Sequence, residues 1–167
     1  MKINRLNLRN VVAIAICLAA MTVFSDCKKD EVIVKFDEKT FIEQKKLWQL
    51  SNTKDYEYHL LANGFVSYYG KIFVENGSFK NDEILHEYSH LMLNYSTIDL
   101  VYKTIEEIFH SSNNGTKKSG FYYTEIVVEY DKVNHIPIKI NYKYYSSPNL
   151  SIDGTFDYTI TNFNKQN

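Results

Sequence analysis

Hydrophobic and polar residues alternate along the last third of the chain. Three runs between residues 122 and 163 place an apolar side chain at every second position. Because successive side chains on a strand point to opposite faces, this alternation predicts strands with one buried and one solvated face. The linkers 131–135 and 146–149 are rich in turn-forming residues, which favours antiparallel pairing. We expect strands at 122–131, 136–145 and 155–163, with a shared buried face carrying Tyr130, Ile138, Ile140, Tyr142, Tyr158 and Ile160.

The first half predicts a helix followed by strands. Residues 40–43 (Thr-Phe-Ile-Glu) have the form of a capping box, in which a hydroxyl and a carboxylate satisfy free amides at a helix start. Phe41 and Trp48 are seven residues apart and would share the buried side of a helix from about Phe41 to Leu50. Alternation at 55–60 and 68–74 predicts two strands, and Asn76-Gly77 predicts a tight hairpin into a further strand.

A second helix is predicted from another capping box, Thr-Ile-Glu-Glu at 104–107, through Phe109. Residues 82–100 fit helical spacing and strand alternation equally. The predicted order is helix–strands–helix–strands. We therefore expect a single α+β domain over residues 40–167, an antiparallel sheet with two main helices packed on one face.

The N-terminus has the composition of an export signal. Three basic residues precede an apolar run at 11–24, which is short for a membrane span but typical of a secretory signal. Cys27 follows, at the position where bacterial lipoproteins are cleaved and acylated. Residues 24–26 depart from the usual lipobox, and ordinary cleavage after Ser25 is the alternative.

These features predict three segments: a signal peptide at 1–26, a lipidated N-terminus and tether at 27–39, and the domain at 40–167. Cys27 is the predicted lipid attachment site. The expected location is the bacterial cell envelope, anchored to a membrane on the extracytoplasmic side.

Cysteine content and charge bear on two further properties, internal disulfides and binding to nucleic acid. Cys17 lies in the signal, so the mature chain keeps only Cys27 and forms no internal disulfide. Of 19 Lys and Arg and 20 Asp and Glu residues, cleavage removes Lys2, Arg5, Arg9 and Asp26, which leaves 16 basic and 19 acidic residues. No basic patch with interleaved aromatic residues is present, so nucleic acid is not an expected partner.

Four segments of the second half carry a family resemblance. They are TIEEIF at 104–109, EYD at 129–131, IPIKI at 136–140 and DYTI at 157–160. In order and spacing they resemble domain of unknown function 6174, a family of small bacterial envelope proteins, many of them lipoproteins. The resemblance covers nearly all of the mature chain but departs at His135, where family members commonly carry Gly-Tyr before the proline. It implies export and fold, and no chemistry.

One motif suggests catalysis. His86-Glu87-Tyr88-Ser89-His90 spells H-E-x-x-H, which on a helix places two imidazoles one turn apart to bind zinc, with the glutamate as general base. Glu106 or Glu107 could supply the third ligand, although both fit the predicted helix start. The pattern also arises by chance in loops containing histidine.

The sequence favours a non-enzymatic binding or structural envelope module, with a small zinc-dependent hydrolase using His86, Glu87 and His90 as the alternative. On this interpretation there is no catalytic residue, metal site or cofactor. The expected partners are the membrane, through the lipid anchor, and an envelope protein or peptide. Three aspartates near turns are interpreted as turn caps rather than calcium ligands, namely Asp131, Asp153 and Asp157.

Overall fold

The computed structural model describes residues 32–64, 67–80, 93–113, 121–146 and 152–166. These residues belong to one compact unit, Val32–Asn167. The elements described are β1 (Lys35–Phe36), α1 (Glu38–Ser51), β2 (Tyr56–Asn63), β3 (Tyr68–Glu75), β4 (Ser78–Phe79), α2 (Ile98–Asn113), β5 (Phe121–Tyr130), β6 (Pro137–Ser146) and β7 (Ile152–Lys165). Neither described helix has the length and apolar content needed to cross a membrane.

The described strands form one mixed sheet in the order β1-β5-β6-β7-β2-β3-β4. β1 runs parallel to β5, whereas every other neighbouring pair is antiparallel. The prediction of an antiparallel sheet in the order helix–strands–helix–strands is therefore wrong. A strand precedes the first helix and makes the sheet mixed. At two residues, β1 is too short for an alternating pattern to reveal it.

The segment leading into β1 is part of the folded domain. Val32 and Val34 are buried, and the Val34 N–H donates to Asn113 Oδ1 at 3.2 Å. Phe36 packs against Phe41 and Phe109, with ring centroids 5.2 and 4.8 Å apart. Val32, Val34 and Phe36 are therefore part of the folded domain, although they lie within the segment 27–39 that the sequence assigned to a tether.

The three C-terminal strands are confirmed. β5 and β6 lie within one residue of their predicted bounds, and β7 is longer than predicted. Of the side chains expected on the inner face, Ile140, Tyr142 and Ile160 are buried. Tyr130, Ile138 and Tyr158 are half-buried and pack against the same core. β7 occupies the centre of the sheet, between β6 and β2.

Both helices pack over the inner face of the sheet. On α1, Trp48 meets Tyr56 edge-on at 5.5 Å and Phe163 at 6.1 Å. Its indole N–H donates to Asp99 Oδ1 of α2 at 3.1 Å, which ties the two helices together. α2 buries an apolar stripe at helical spacing that includes Ile98, Val101, Ile105 and Phe109.

Both helices start earlier than the capping boxes predicted. Asp37 caps α1 by accepting the Thr40 N–H at 3.1 Å. Thr97 caps α2 by accepting the Leu100 N–H at 3.1 Å. Thr104 lies inside α2, where its hydroxyl donates to the Asn94 carbonyl at 3.1 Å. The Thr-x-x-Glu spacing misled because residues three apart are also neighbours within a helix.

Tyrosine hydroxyls satisfy backbone groups inside the core. Tyr56 Oη accepts the Ile98 N–H at 3.0 Å, and Tyr58 donates to the Tyr95 carbonyl at 2.5 Å. Tyr95 in turn donates to Tyr142 Oη at 3.2 Å. Buried polar groups need partners, and these hydroxyls find them in one another and in the start of α2. The core is therefore built around a tyrosine network, here meaning Tyr56, Tyr58, Tyr95, Tyr102 and Tyr142.

The turn between β5 and β6 depends on His135, the position that departs from the family resemblance. His135 has φ +57°, a conformation that glycine adopts most readily. Its N–H donates to the Asp131 carbonyl at 2.9 Å, and its carbonyl accepts the Tyr102 hydroxyl at 2.7 Å. These hydrogen bonds hold a non-glycine residue in the left-handed region.

Candidate binding surface

The face of the sheet opposite α1 and α2 carries the side chains that alternate with the core. We call it the open face, because no helix covers it within the part of the chain that the structure describes. The register sets its side chains in rows across the strands. One row crosses five strands and consists of Glu129, Lys139, Thr159, Leu61 and Tyr69.

Charged residues on the open face are paired across neighbouring strands. Lys71 Nζ lies 2.9 Å from Glu57 Oε2. Asn141 donates to Asp157 Oδ1 at 2.5 Å. Opposite charges on adjacent strands reinforce the register, although their exposure to solvent keeps each contribution small. The polar part of this face is thus ordered by its own contacts.

Glu125 is the most strongly held of these charges. It forms ion pairs with Lys143 of β6 and, at 2.7 Å, with Lys35 of β1. Hydrogen bonds from Lys143 and then Lys35 lower the pKa of Glu125 from its ordinary value near 4.5 to about 2. Because the pKa is depressed, the contribution to stability is full above pH 4.5 and is lost as the pH falls through about 2. Glu125 is therefore ionised at neutral pH, where its ion pairs hold β1 against the sheet.

An exposed apolar patch lies on the β2–β3 hairpin. We call it the hairpin patch and define it as Leu61, Tyr69 and Phe73, of which Tyr69 is 67 % exposed. His59 Nδ1 is 2.8 Å from Tyr69 Oη, and Lys71 Nζ lies 4.5 Å from the centroid of the Phe73 ring. Val127 adds a separate exposed apolar side chain on β5. The sequence carries a signal for this patch, because aromatic residues stand at positions 69 and 73, which alternate with the buried positions of β3. The prediction of β3 used only the residues expected to be buried.

Neither main candidate site of the sequence analysis falls on described residues. Cys27 and the motif at His86–His90 lie outside them. The two possible third ligands are described; both lie on α2 and form ion pairs, Glu106 with α1 and Glu107 within α2. Glu106 Oε2 accepts Lys45 Nζ at 2.7 Å, and Glu107 Oε1 lies 3.5 Å from Lys103 Nζ. Within the described ranges, no three His, Cys, Asp or Glu side chains form a group that could hold a metal ion.

Asp131 and Asp157, two of the three aspartates interpreted as turn caps, accept hydrogen bonds from other residues of the domain. Asp131 Oδ1 accepts the backbone N–H groups of Val133 and Asn134, each at 2.7 Å, which confirms it as a turn cap. The turn-cap interpretation of Asp157 is wrong, because Asp157 lies within β7, where it accepts a hydrogen bond from Asn141 and another, at 3.3 Å, from the Thr155 hydroxyl. The side chain of Asp153 lies outside the described part.

Comparison of the chain with protein-family models, with curated proteins and with solved structures finds no match. The resemblance to domain of unknown function 6174 therefore stays a prediction.

Proposed function

We propose that this protein is an exported, lipid-anchored module of the bacterial cell envelope that binds a protein partner through the open face of its sheet, without catalysing a reaction. The N-terminal signal pattern and Cys27 support export and anchoring. The observation that carries the binding role is the hairpin patch, which exposes three apolar side chains on a face where Lys71 and Lys143 form ion pairs with glutamates of neighbouring strands.

The composition of the open face suits a protein surface. Protein interfaces commonly combine apolar or aromatic residues with polar ones, and exposed apolar residues grouped on one face mark such sites. Here Leu61 lies opposite Tyr69, and Phe73 lies on the same face beyond Lys71. Lys71 pairs with Glu57, so charged groups border the exposed apolar side chains and form the rim. The rim carries both signs of charge, which favours a partner of mixed charge over a polyanion such as nucleic acid.

Acylation of Cys27 is the first prediction. Replacing Cys27 with alanine should move the full chain from the membrane fraction to the soluble fraction, because the thiol that carries the lipid is lost. Intact-mass measurement should find acyl chains on the wild-type protein beginning at residue 27 and none on the variant. A wild-type chain released without added mass would contradict anchoring.

The open face is tested by cross-linking in intact cells. A photoreactive phenylalanine analogue replaces Tyr69 in the hairpin patch or, as the matched control, Val133, which is 81 % exposed in the β5–β6 turn. We expect a discrete cross-linked protein from position 69 and none from position 133. Equal adducts from both positions, or none from position 69, would contradict binding through the open face.

The absence of catalysis is tested on purified protein. Zinc content after mild purification and peptidase activity are measured on the wild-type chain and on Glu87→Gln. Stoichiometric zinc, together with peptidase activity that Glu87→Gln abolishes, would replace the binding module with the zinc hydrolase. We expect no hydrolysis that depends on Glu87.

A further inference from the structure

One edge of the sheet is only partly covered. β1 pairs with β5 at two positions, Lys35 with Glu125 and Phe36 with Ile126, whereas β5 is ten residues long. Beyond Ile126, residues 127–129 have no strand neighbour on this edge among the described elements. In an antiparallel pair, alternate residues direct both N–H and C=O away from the partner strand. This stretch of β5 therefore presents outward backbone donors and acceptors.

A cleft of about 320 Å³ lies beside this edge. The end of β1 and the start of α1 form one side, through Lys35, Phe36, Asp37 and Thr40, and β5 forms the other, through residues 125–128 and Tyr130. Small-ligand sites begin at about this volume, so the cleft has room for a short segment and not for a folded domain. The Tyr130 hydroxyl is buried and has no hydrogen-bond partner among the described residues.

We infer that this cleft takes an extended peptide segment of the partner, which adds as a strand to the outer edge of β5 at Val127–Glu129. The segment would lie next to β5 on the same side as β1, beyond the end of β1 at Phe36. This inference rests on the proposed binding function and names the element of the partner that is bound.

The backbone hydrogen-bonding groups at this edge favour a partner segment in an extended conformation. A row of peptide N–H and C=O groups is matched in spacing by another strand, and strand addition is a recurring way of binding peptides. The edge already receives one strand in this manner, because β1 pairs with it in parallel. The ion pairs of Glu125 with Lys35 and Lys143 hold that arrangement in place, so the receiving edge is preformed.

The neighbouring side chains set the preferred sequence of the segment. Alternate residues of an added strand would point to the two faces of the sheet. Towards the inner face they meet Phe36 and Val128, both half-buried in the core, which favours an apolar residue. Towards the open face they lie beside Glu129, which is 58 % exposed and pairs with Lys139 of β6 at 3.5 Å. A basic residue on the added strand would share this carboxylate, as Lys35 of β1 shares Glu125 with Lys143 of β6. The segment therefore alternates apolar and basic residues.

The test uses the full chain with its anchor in detergent micelles. Random displayed heptapeptides are selected against it, and the binders are synthesised with a fluorescent label for anisotropy titration. Each binder is compared with two copies, one N-methylated at its odd-numbered residues and the other at its even-numbered residues. Each pattern removes the backbone donors on one side of the extended peptide and keeps every side chain. We expect one of the two N-methylation patterns to weaken binding at least tenfold.

Two protein variants locate the site. Thr40→Trp fills the cleft and should weaken binding at least tenfold, whereas Val133→Trp, on the exposed turn, should change it less than twofold. Hydrogen exchange on the wild-type chain gives a readout that does not depend on either variant folding. The bound peptide should slow exchange of at least one amide among Val127, Val128 and Glu129.

Three results would overturn the inference: equal binding by both N-methylated copies, protection that maps to the hairpin patch instead of β5, or recovery of no binding heptapeptide. Protection at the hairpin patch would leave the proposed binding function standing. The cross-linking at position 69 decides that function independently.

Discussion

Raising the pH above 10 should unfold this protein in one steep transition, because its core is built from tyrosines that must stay protonated. All members of the tyrosine network are at most 3 % exposed. Burial raises the pKa of Tyr58, Tyr95 and Tyr142 well above the ordinary value of 10, and it also raises the pKa of Tyr56 and Tyr102. The folded chain therefore retains protons that the unfolded chain releases.

The sign and size of the effect follow from linkage between protonation and folding. A raised pKa gives a contribution to stability that is complete below pH 10 and is lost as the pH rises toward the folded-state value. Each hydroxyl that stays protonated only in the folded state removes about 1.4 kcal/mol per pH unit. For the five tyrosines of the network the slope approaches about 7 kcal/mol per pH unit. The whole stability of a domain is about 5–15 kcal/mol, so one to two pH units suffice.

Tyrosinate absorbance and far-ultraviolet circular dichroism, recorded on the same samples, check this prediction. The buried hydroxyls should ionise at the same pH at which the secondary structure is lost. A Tyr142→Phe variant should show a shallower dependence of stability on pH above 10, because it has one fewer buried proton to release. Gradual ionisation of all the tyrosines with unchanged dichroism would contradict the protonated core.

Truncating Ile140 to alanine should lower the free energy of unfolding by about 2–5 kcal/mol, the range measured for deleting large buried aliphatic side chains. Ile140 is 1 % exposed and lies between Val128 and Tyr158 in the register of the sheet. Shortening it leaves a cavity that the flanking strands cannot close without losing their hydrogen bonds. Urea unfolding of the full chain measures the change.

Val127→Ala is the matched control. Val127 lies on β5 next to Val128 and points to the open face, where it is 41 % exposed. Its truncation should change stability by no more than about 0.5 kcal/mol, as expected for a surface site. A loss for Val127→Ala as large as that for Ile140→Ala would mean that the two faces of the sheet are assigned the wrong way round.

Alternation in the sequence was a good guide wherever strands were long and regular. β5 and β6 are ten residues each, and between the register shifts at Tyr123–Glu125 and Glu129–Tyr130 their inner and outer side chains follow the pattern. The pattern fails at Asn162, which has φ +53° beside a shift in the β2–β7 register. That irregularity lets Phe163 turn inward to contact Trp48. A backbone irregularity of this kind has no signature in a hydrophobic pattern.

The candidate site was less accessible to sequence analysis than the fold. Tyr69 and Phe73 are aromatic residues on the exposed side of β3. A prediction based on the buried residues of a strand assigns the other side to solvent and gives it no role. β1 was hidden for another reason. A two-residue strand owes its existence to Lys35 meeting Glu125 and to Phe36 meeting Phe109, contacts between residues far apart in the sequence. Propensity and periodicity carry no information about such pairs.

The central position of β7 determines when the protein can fold. Among the described strands, β5–β6 and β2–β3–β4 are joined only through β7, and the pairing of β7 with β2 joins Lys165 to Tyr56, 109 residues back along the chain. Contacts of such long range slow folding to milliseconds or seconds. A nascent chain therefore cannot complete the sheet until β7 has been synthesised. A protein that we propose is exported would thus remain open, and suited to threading through a membrane channel, until that point in its synthesis.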